Sequence, residues 1–277
     1  MCQSGIFKSK QDDDAHEEFQ GVSERNGERM KENLVEESAR LEMRERPGGL
    51  AIGQMNWGKL LFMHWPVAAD ALRPLIPKRL TIDTFEGSAW IGVVPFTMWG
   101  VRPSFIPPIP GLSEFHELNV RTYVHLDGVP GVWFHSLDAA SSLAVWGART
   151  FFHLPYFSAE MSLKQEGDTI IYASKRTEDD APPAHLEATW RIGDELPTSK
   201  PGSLDFFLTE RYCLYAAEDE KLYRLNIHHP PWPLQRAELT AYNSTMIESH
   251  NLPTPHGEPL LHYAEALHVE AWPLEEV

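Results

Sequence analysis

The chain has 277 residues, of which 42% are hydrophobic, and its formal net charge is −16. A chain of this length can bury a full core as one domain, whereas an acidic chain without a clustered basic face repels phosphate backbones, so we expect no nucleic-acid partner. Because Cys2 and Cys213 lie far apart and no apolar run has the length of a signal peptide or membrane span, we expect a cytoplasmic protein without disulfides or membrane contact.

The first 47 residues differ in composition from the rest of the chain. They are polar, acidic and almost free of aromatic residues, a composition that cannot bury enough surface to offset the entropy of ordering. We therefore expect residues 1–47 to be an acidic, mobile tail and residues 48–277 to form a single domain. A charged, partner-binding helix within residues 23–46 is the alternative.

Strand signals begin after the Pro-Gly-Gly sequence at residues 47–49. Leu60–Trp65 is the first strong strand candidate, and we expect Pro66 to end it. Leu80–Phe85 and Ala89–Met98 flank a Glu-Gly turn and predict a hairpin, in which Pro95 indicates an edge strand or a bulge.

The stretch from residue 115 to 157 reads strand, turn, strand, helix, strand. Apolar residues alternate with polar ones along Glu117–Leu126, and Val132–Asp138 returns after an Asp-Gly turn, which predicts an antiparallel hairpin. A helix should follow, capped by Ser141 or Ser142 and ending before Pro155.

The remaining pattern is also dominated by strands. We predict further strands at residues 157–164, 169–176, 185–192, 212–216, 222–227, 237–246 and 261–272, with short helices at 67–76 and 204–211. Many short strands with few helices predict a mainly β (α+β) fold, in which an antiparallel sheet curls into a barrel or sandwich. Such a sheet encloses either a packed core or a cavity.

Three polar side chains share one face of the strand at 117–126. Glu117, Asn119 and Arg121 either face solvent, form a structural ion pair, or line a ligand site. If the face is interior, Arg121 needs Glu117, Asp138 of the facing strand, or an anionic ligand as its partner.

The thirteen histidines do not form a recognisable metal motif. They come with neither an HExxH sequence nor a cysteine pair, so we expect no metal and no cofactor. His228 and His229 point to opposite faces if they lie on a strand, and one of them either carries a proton or caps backbone groups in the proline-rich corner that follows. His64, His228, His229 and Asn119 are our candidate ligand-binding residues.

Nucleotide-binding glycine motifs and the GxSxG nucleophile elbow are absent from the sequence. Tyr156, directly after Pro155, is a candidate hydrogen-bond donor into a cavity, with a core position as the alternative.

Long segments resemble a known family. FMHWPVAADALRPLIP, FHELNVRTYVHLDGVPGVWFHSLDA and NIHHPPWPL are similar to the uncharacterised YqjF-like family, the domain of unknown function 2071, over about residues 55 to 240. That family looks like a relative of acetoacetate decarboxylase. The resemblance implies a curled antiparallel sheet around a closed cavity.

The resemblance also bears on chemistry. Acetoacetate decarboxylase uses a lysine that forms a Schiff base. The matching turn here places Tyr156 at the nucleophile position and Glu117 at that of an active-site glutamate, so the resemblance implies a retained cavity without imine chemistry. Lys59 is the one lysine within the motif-dense first strand and the single alternative nucleophile.

These observations give a first hypothesis with three candidate catalytic residues. Glu117 would act as a base, Arg121 would hold a carboxylate or enolate oxygen, and Tyr156 would donate a hydrogen bond. The protein would bind or transform a small molecule, such as a keto acid or another enolisable compound. The alternatives are a non-catalytic ligand-binding or regulatory barrel and an interaction module that uses the acidic tail; a homo-oligomer is compatible with each.

Overall fold

The computed structural model describes residues 35–109 and 113–277. Most of the expected tail, residues 1–34, lies outside the described residues. The α-helices are α1 (Glu37–Glu42), α2 (Ala69–Leu72), α3 (Ser142–Phe152) and α4 (Leu204–Thr209), with 3-10 turns at Arg73–Leu75 and Glu248–His250. The strands are β1 (Gly53–Val67), β2 (Thr81–Ile82), β3 (Ala89–Pro103), β4 (Glu114–Leu126), β5 (Val129–Ala139), β6 (Tyr156–Glu166), β7 (Thr169–Arg176), β8 (His185–Glu195), β9 (Cys213–Glu218), β10 (Lys221–His228), β11 (Leu234–Ser244) and β12 (Leu260–Glu276).

The described strands form one twelve-stranded sheet in the order β10-β9-β5-β6-β7-β8-β11-β12-β1-β3-β4-β2. Two further pairings, β4 with β5 and β10 with β12, join strands that are distant in this order. They close a circuit of β3, β4, β5, β9, β10, β12 and β1. The pairs β5–β6 and β5–β9 are parallel and the other pairs are antiparallel. The prediction of a mainly β, curled antiparallel sheet with a few short helices is confirmed.

Strand β4 separates two apolar layers. Its even-numbered residues Leu118, Val120 and Val124 are fully buried in a core cluster that includes Tyr172 of β7 and Trp190 of β8. Other strands and the short helical segment at 69–75 pack against this even-numbered face of β4. The odd-numbered face therefore points to the opposite side, inside the closed circuit.

Helix α3 begins and ends as the sequence predicts. The Ser141 hydroxyl accepts a hydrogen bond from the Ala144 amide at 3.3 Å, which caps the first turn. At the other end His153 adopts a left-handed conformation with φ of 51°, and Pro155 follows. The helix thus carries the chain from the end of β5 to the start of β6.

The predicted hairpin over residues 80–98 is only partly correct. The turn exists, because Phe85 and Ser88 form an isolated bridge around residues with positive φ. However, Thr81–Ile82 pairs with β4 rather than with β3, and the Asp83 amide continues that pairing by donating to the Tyr123 carbonyl at 2.9 Å. Contacts with β4 therefore override the local hairpin.

Pro66 and Pro95 have different effects on their strands. Strand β1 continues past Pro66 to Val67, so the expected stop is wrong. Of the two alternatives at Pro95, an edge strand or a bulge, the bulge is found, since the pairing of β3 with β1 shifts register opposite it, between Gly58 and Met63. A missing amide hydrogen is tolerated where the ladder is already interrupted.

Residues 35–47 pack on the domain. Arg40 of α1 forms an ion pair with buried Asp83 at 2.7 Å, and Arg46 pairs with Glu270 at 2.7 Å. Val35–Val277 accordingly forms one compact unit, which starts earlier than the residue 48 expected from composition. No described helix is long and apolar enough to span a membrane.

Candidate functional site

A cavity of about 340 Å³ lies inside the closed circuit of strands. Residues of β1, β3, β4, β5, β9 and β10 line it, together with helix α3 and the start of β6. Most of the wall is apolar; it includes Met55, Trp57, Leu60, Phe96, Met98 and Phe115. Glu117, Asn119, Arg121, Tyr156 and His229 line the same cavity and supply polar groups in this apolar surface.

Glu117 and Tyr156 are in direct contact. The Tyr156 hydroxyl donates a 2.7 Å hydrogen bond to Oε2 of Glu117, and both residues are buried. The Tyr172 hydroxyl donates to the backbone carbonyl of Glu117 at 2.9 Å and so helps to fix its position from the opposite side of β4. The three residues hold one carboxyl group in a defined orientation inside an apolar wall.

The position of Tyr156 follows from the connection through α3. Tyr156 pairs with Leu137 at the parallel junction of β6 with β5. Arg149 of α3 donates from Nε to the Tyr156 carbonyl at 2.6 Å and forms an ion pair with Glu178 at 2.7 Å. Arg149 thus links helix α3 to strand β6 at Tyr156, the residue that donates to Glu117.

Burial alters the proton affinity of both partners. Desolvation raises the pKa of Glu117 to about 7, although the hydrogen bonds from Tyr156 and Asn119 act in the opposite direction. Desolvation and the neighbouring Glu117 raise the pKa of Tyr156, so the phenol stays protonated and acts as a donor. A carboxyl group that titrates near neutrality can take up or release a proton under ordinary conditions.

Arg121 lies on the same face of β4 without a carboxylate partner. Its guanidinium lies 5.1 Å from the centre of the Phe62 ring and 5.8 Å from that of Tyr123. Within the described residues no carboxylate oxygen lies within 4.0 Å of it, and its Nε has no hydrogen-bond partner. The Oδ1 atom of Asn119 is likewise buried and unpartnered. The site therefore holds a cation and a polar atom that a ligand can satisfy.

Asp138, one of the possible partners of Arg121, pairs elsewhere. It stands opposite Leu118 in the β4–β5 ladder, so its side chain shares the face that points away from the cavity. There it forms a fully buried pair with Arg176 at 2.7 Å. The β4–β5 register shifts between Val120 and Arg121, so Asp138 and Arg121 lie on opposite faces of the sheet. Arg121 thus pairs with neither Asp138 nor Glu117.

The structure places His64 behind the cavity wall and His228 away from it. Buried His64 contacts the Tyr123 hydroxyl at 2.6 Å, and desolvation followed by the charge of Arg121 lowers its pKa. His228 is half-buried with Nδ1 3.9 Å from Glu270. Neither side chain lines the cavity.

His229 does line the cavity, with both ring nitrogens facing backbone carbonyls. Nδ1 lies 2.7 Å from the Pro230 carbonyl and Nε2 lies 3.4 Å from that of Arg211. The ring stacks on Tyr212 at 4.5 Å, and desolvation lowers its pKa. This geometry matches the backbone-capping alternative for the proline-rich corner better than the proton-carrier alternative.

Two cavity residues escaped sequence analysis. Arg211 was assigned only to a helical turn, yet it lines the cavity and its Nη1 donates to Asp83 at 2.6 Å. Their separation of 128 positions leaves no local signal for the contact. Cys213 also lines the cavity, but burial raises the pKa of its thiol to about 12, so it is not a thiolate nucleophile near neutral pH.

Other reactive groups stay away from the cavity. No lysine of the described part of the chain lines it, and Lys59 instead pairs with Glu265 on the neighbouring strand β12. Among the described residues, no group of three or more histidine, cysteine, aspartate or glutamate side chains is placed to hold a metal ion. The polar groups that line the cavity include the carboxyl group of Glu117, the phenol of Tyr156, the amide of Asn119, the imidazole of His229 and the side chains of Arg121 and Arg211.

The chain is similar to one curated protein and to several solved structures. It is 46% identical over 230 residues to the uncharacterised protein YqjF of Bacillus subtilis strain 168, which covers 83% of this chain and 94% of that protein. The enzyme MppR of enduracididine biosynthesis, solved with pyruvate, superposes with a TM-score of 0.56 at 11% identity and covers 84% of this chain and 93% of its own. Acetoacetate decarboxylase of Legionella pneumophila gives a TM-score of 0.53 at 14% identity, and the match covers 84% of this chain and 91% of that one.

These likenesses establish family and fold. At such low identity the solved structures indicate a shared fold and leave activity open. The sequence profile of DUF2071, described as an uncharacterised conserved protein, matches residues 54–268. The chain therefore belongs to the DUF2071 family and has an acetoacetate decarboxylase-like fold.

Proposed function

We propose that the cavity binds a small carboxylate with an enolisable or keto group and that Glu117 moves a proton on it. The observation that carries this proposal is the contact between Glu117 and Tyr156 at 2.7 Å, in which a buried carboxyl group with a pKa of about 7 faces a largely apolar cavity. Transfer of a proton from a carbon next to a carbonyl needs a base of this kind.

Each polar residue has a role that its surroundings support. Glu117 in its ionised form takes the proton, and Tyr156, which remains protonated, stabilises that form by its hydrogen bond. Arg121 holds the acidic group of the ligand, because it has no carboxylate partner of its own among the described residues. The apolar wall strengthens these interactions, because it lowers the local dielectric around the buried Glu117 and Tyr156 side chains.

The fold is compatible with such a ligand. The similar enzyme MppR was solved with pyruvate, a keto acid, and with a condensation product of pyruvate. We infer that the imine route lacks its nucleophile in the present chain, since no described lysine lines the cavity and the family resemblance implies Tyr156 at the corresponding turn. Acid–base chemistry without a covalent intermediate is the reaction type that these residues support.

Solvent deuterium exchange tests the proposal. The protein is incubated in heavy water with a panel of keto acids of increasing length, and proton NMR follows loss of the signal next to the carbonyl. We expect exchange with the wild type, at least a hundredfold less with Glu117→Gln, and a smaller loss with Tyr156→Phe. Binding of the panel without exchange by any member would instead support the non-catalytic ligand-binding barrel.

A further inference from the structure

We propose that Arg121 and Arg211 together form a subsite for the acidic head group of an elongated carboxylate, whose apolar body lies against helix α3. This inference deepens the proposed function and rests on it, because the subsite and Glu117 line one cavity. It specifies the substrate class as a carboxylate joined to an extended apolar chain.

The first observation concerns the charge partners of Arg211 and Arg121. Arg211 is 4% exposed, and its Nη2 has no hydrogen-bond partner. It shares a single carboxylate, Asp83, with Arg40, while Arg121 has none within 4.0 Å among the described residues. Arg40 and Arg211 thus share one carboxylate and Arg121 has none, and a cation held away from water without a charged partner is unfavourable. An anionic ligand would reduce this imbalance.

The second observation is that both arginines lie beside one aromatic ring. The guanidinium carbons of Arg121 and Arg211 lie 5.8 and 4.7 Å from the centre of the same Tyr123 ring. Both side chains line the cavity. Two guanidinium groups beside one cavity wall suit a carboxylate, which accepts hydrogen bonds on both oxygens.

The third observation concerns length. Glu117 and Arg121 are four residues apart on β4, which separates their Cα atoms by about 13 Å. Arg121 lies over Tyr123, the next residue of that face on the side away from Glu117, and forms no ion pair with Glu117. A ligand that uses both groups must therefore keep its acidic group several bonds away from the carbon that exchanges a proton.

The fourth observation is the space beside α3. Ala144, Gly147 and Ala148 occupy one side of this helix and line the cavity. A Cβ atom added at Gly147 would have no heavy atom within 4 Å. These small residues leave room for the apolar body of a ligand whose head group lies at the arginines.

Calorimetric titration of the full chain with octanoate, octan-1-ol and acetate tests the inference. Octanoate has no ketone, so its binding reports the subsite independently of proton exchange. We expect octanoate to bind at least tenfold more tightly than the alcohol, which lacks the acidic group, and than acetate, which lacks the body. Equal affinity for octanoate and octan-1-ol would overturn the inference, even if exchange of short keto acids is observed.

Variants identify the groups involved. Arg121→Met and Arg211→Lys should each weaken octanoate binding at least tenfold, and Arg211→Lys keeps a cation beside Asp83. Gly147→Leu should fill the cavity, so that butanoate binds at least as tightly as octanoate, while Trp146→Leu on the exposed side of the same helix should retain the wild-type ranking. Undiminished octanoate binding in Arg121→Met, or in Arg211→Lys, would contradict the two-arginine subsite.

Discussion

The hydroxyl of Tyr156 donates a 2.7 Å hydrogen bond to the carboxyl group of Glu117 across the space between β6 and β4. Both side chains are buried, and the contact depends on the parallel register of β6 with β5 and on the hydrogen bond from Arg149 to the Tyr156 carbonyl. The pair combines a carboxyl group that titrates near neutrality with a phenol whose pKa is raised, so that the phenol stays protonated.

Burial of Glu117 should make the free energy of unfolding depend on pH. Its pKa is raised in the folded state, from 4.5 to about 7, so the folded protein holds a proton that the unfolded chain releases. The stabilisation that protonated Glu117 gives the folded state is fully present below pH 4.5 and is lost as the pH rises through 7. Relative to the wild type, Glu117→Gln should therefore gain stability over that interval, up to about 3 kcal/mol at pH 8.

Urea unfolding of the two proteins between pH 4 and pH 8 measures this difference. Subtracting the curves removes the opposite effect of histidines such as His135, whose pKa is lowered to about 3 by desolvation. A pH-independent difference between wild type and Glu117→Gln would contradict the assignment.

Arg176 and Arg121 should differ in their effect on stability. Arg176→Met leaves the fully buried carboxylate of Asp138 without its ion pair and should reduce the free energy of unfolding by roughly 3 to 5 kcal/mol. Arg121→Met breaks no ion pair within the described residues and should be close to neutral or stabilising. Chemical denaturation at neutral pH checks both variants, and a large loss in Arg121→Met would reveal a structural partner.

The sequence predicted the face of β4 but left the partner of Arg121 open. Period-two alternation is a local property, so it placed Glu117, Asn119 and Arg121 together. Which carboxylate faces which arginine depends on cross-strand register. Asp138 pairs with Leu118 and therefore lies on the face opposite to Arg121. A single bulge in the β4–β5 ladder decides this placement, and period-two alternation cannot predict it.

Long-range contacts account for the other differences. Asp83 joins Arg40 and Arg211 across 43 and 128 positions of the chain, so neither the packing of residues 35–47 nor the cavity position of Arg211 has a local signal. The Glu117–Tyr156 contact required the family resemblance as well as strand patterning, because helix α3 intervenes between them.

Acetoacetate should not form an imine with this protein. The Tyr156 phenol cannot form one, and Lys59 is held by Glu265 away from the cavity. Borohydride reduction in the presence of acetoacetate, followed by intact-mass analysis, should show no added mass. An adduct that disappears in Lys59→Gln would show that imine chemistry occurs.

Residues 35–47 should stabilise the domain. A chain that starts at residue 35 retains the contact of Arg40 with Asp83, whereas a chain that starts at residue 48 leaves Asp83 with Arg211 alone. We expect the shorter chain to be less stable by about 1 to 3 kcal/mol. Thermal unfolding of both chains and of Arg40→Met in the longer one checks this, and equal stability of all three would contradict it.

Carbon-13 NMR titration of the Glu117 carboxyl group tests the central claim most directly. With glutamate labelled at the carboxyl carbon, Glu117→Gln identifies the resonance by its disappearance. The account predicts a midpoint of about pH 7, and a higher midpoint in Tyr156→Phe, because the Tyr156 hydrogen bond favours the charged form. A midpoint near the ordinary glutamate value in the wild type, unchanged in Tyr156→Phe, would contradict the role of this pair as the proton-transfer centre.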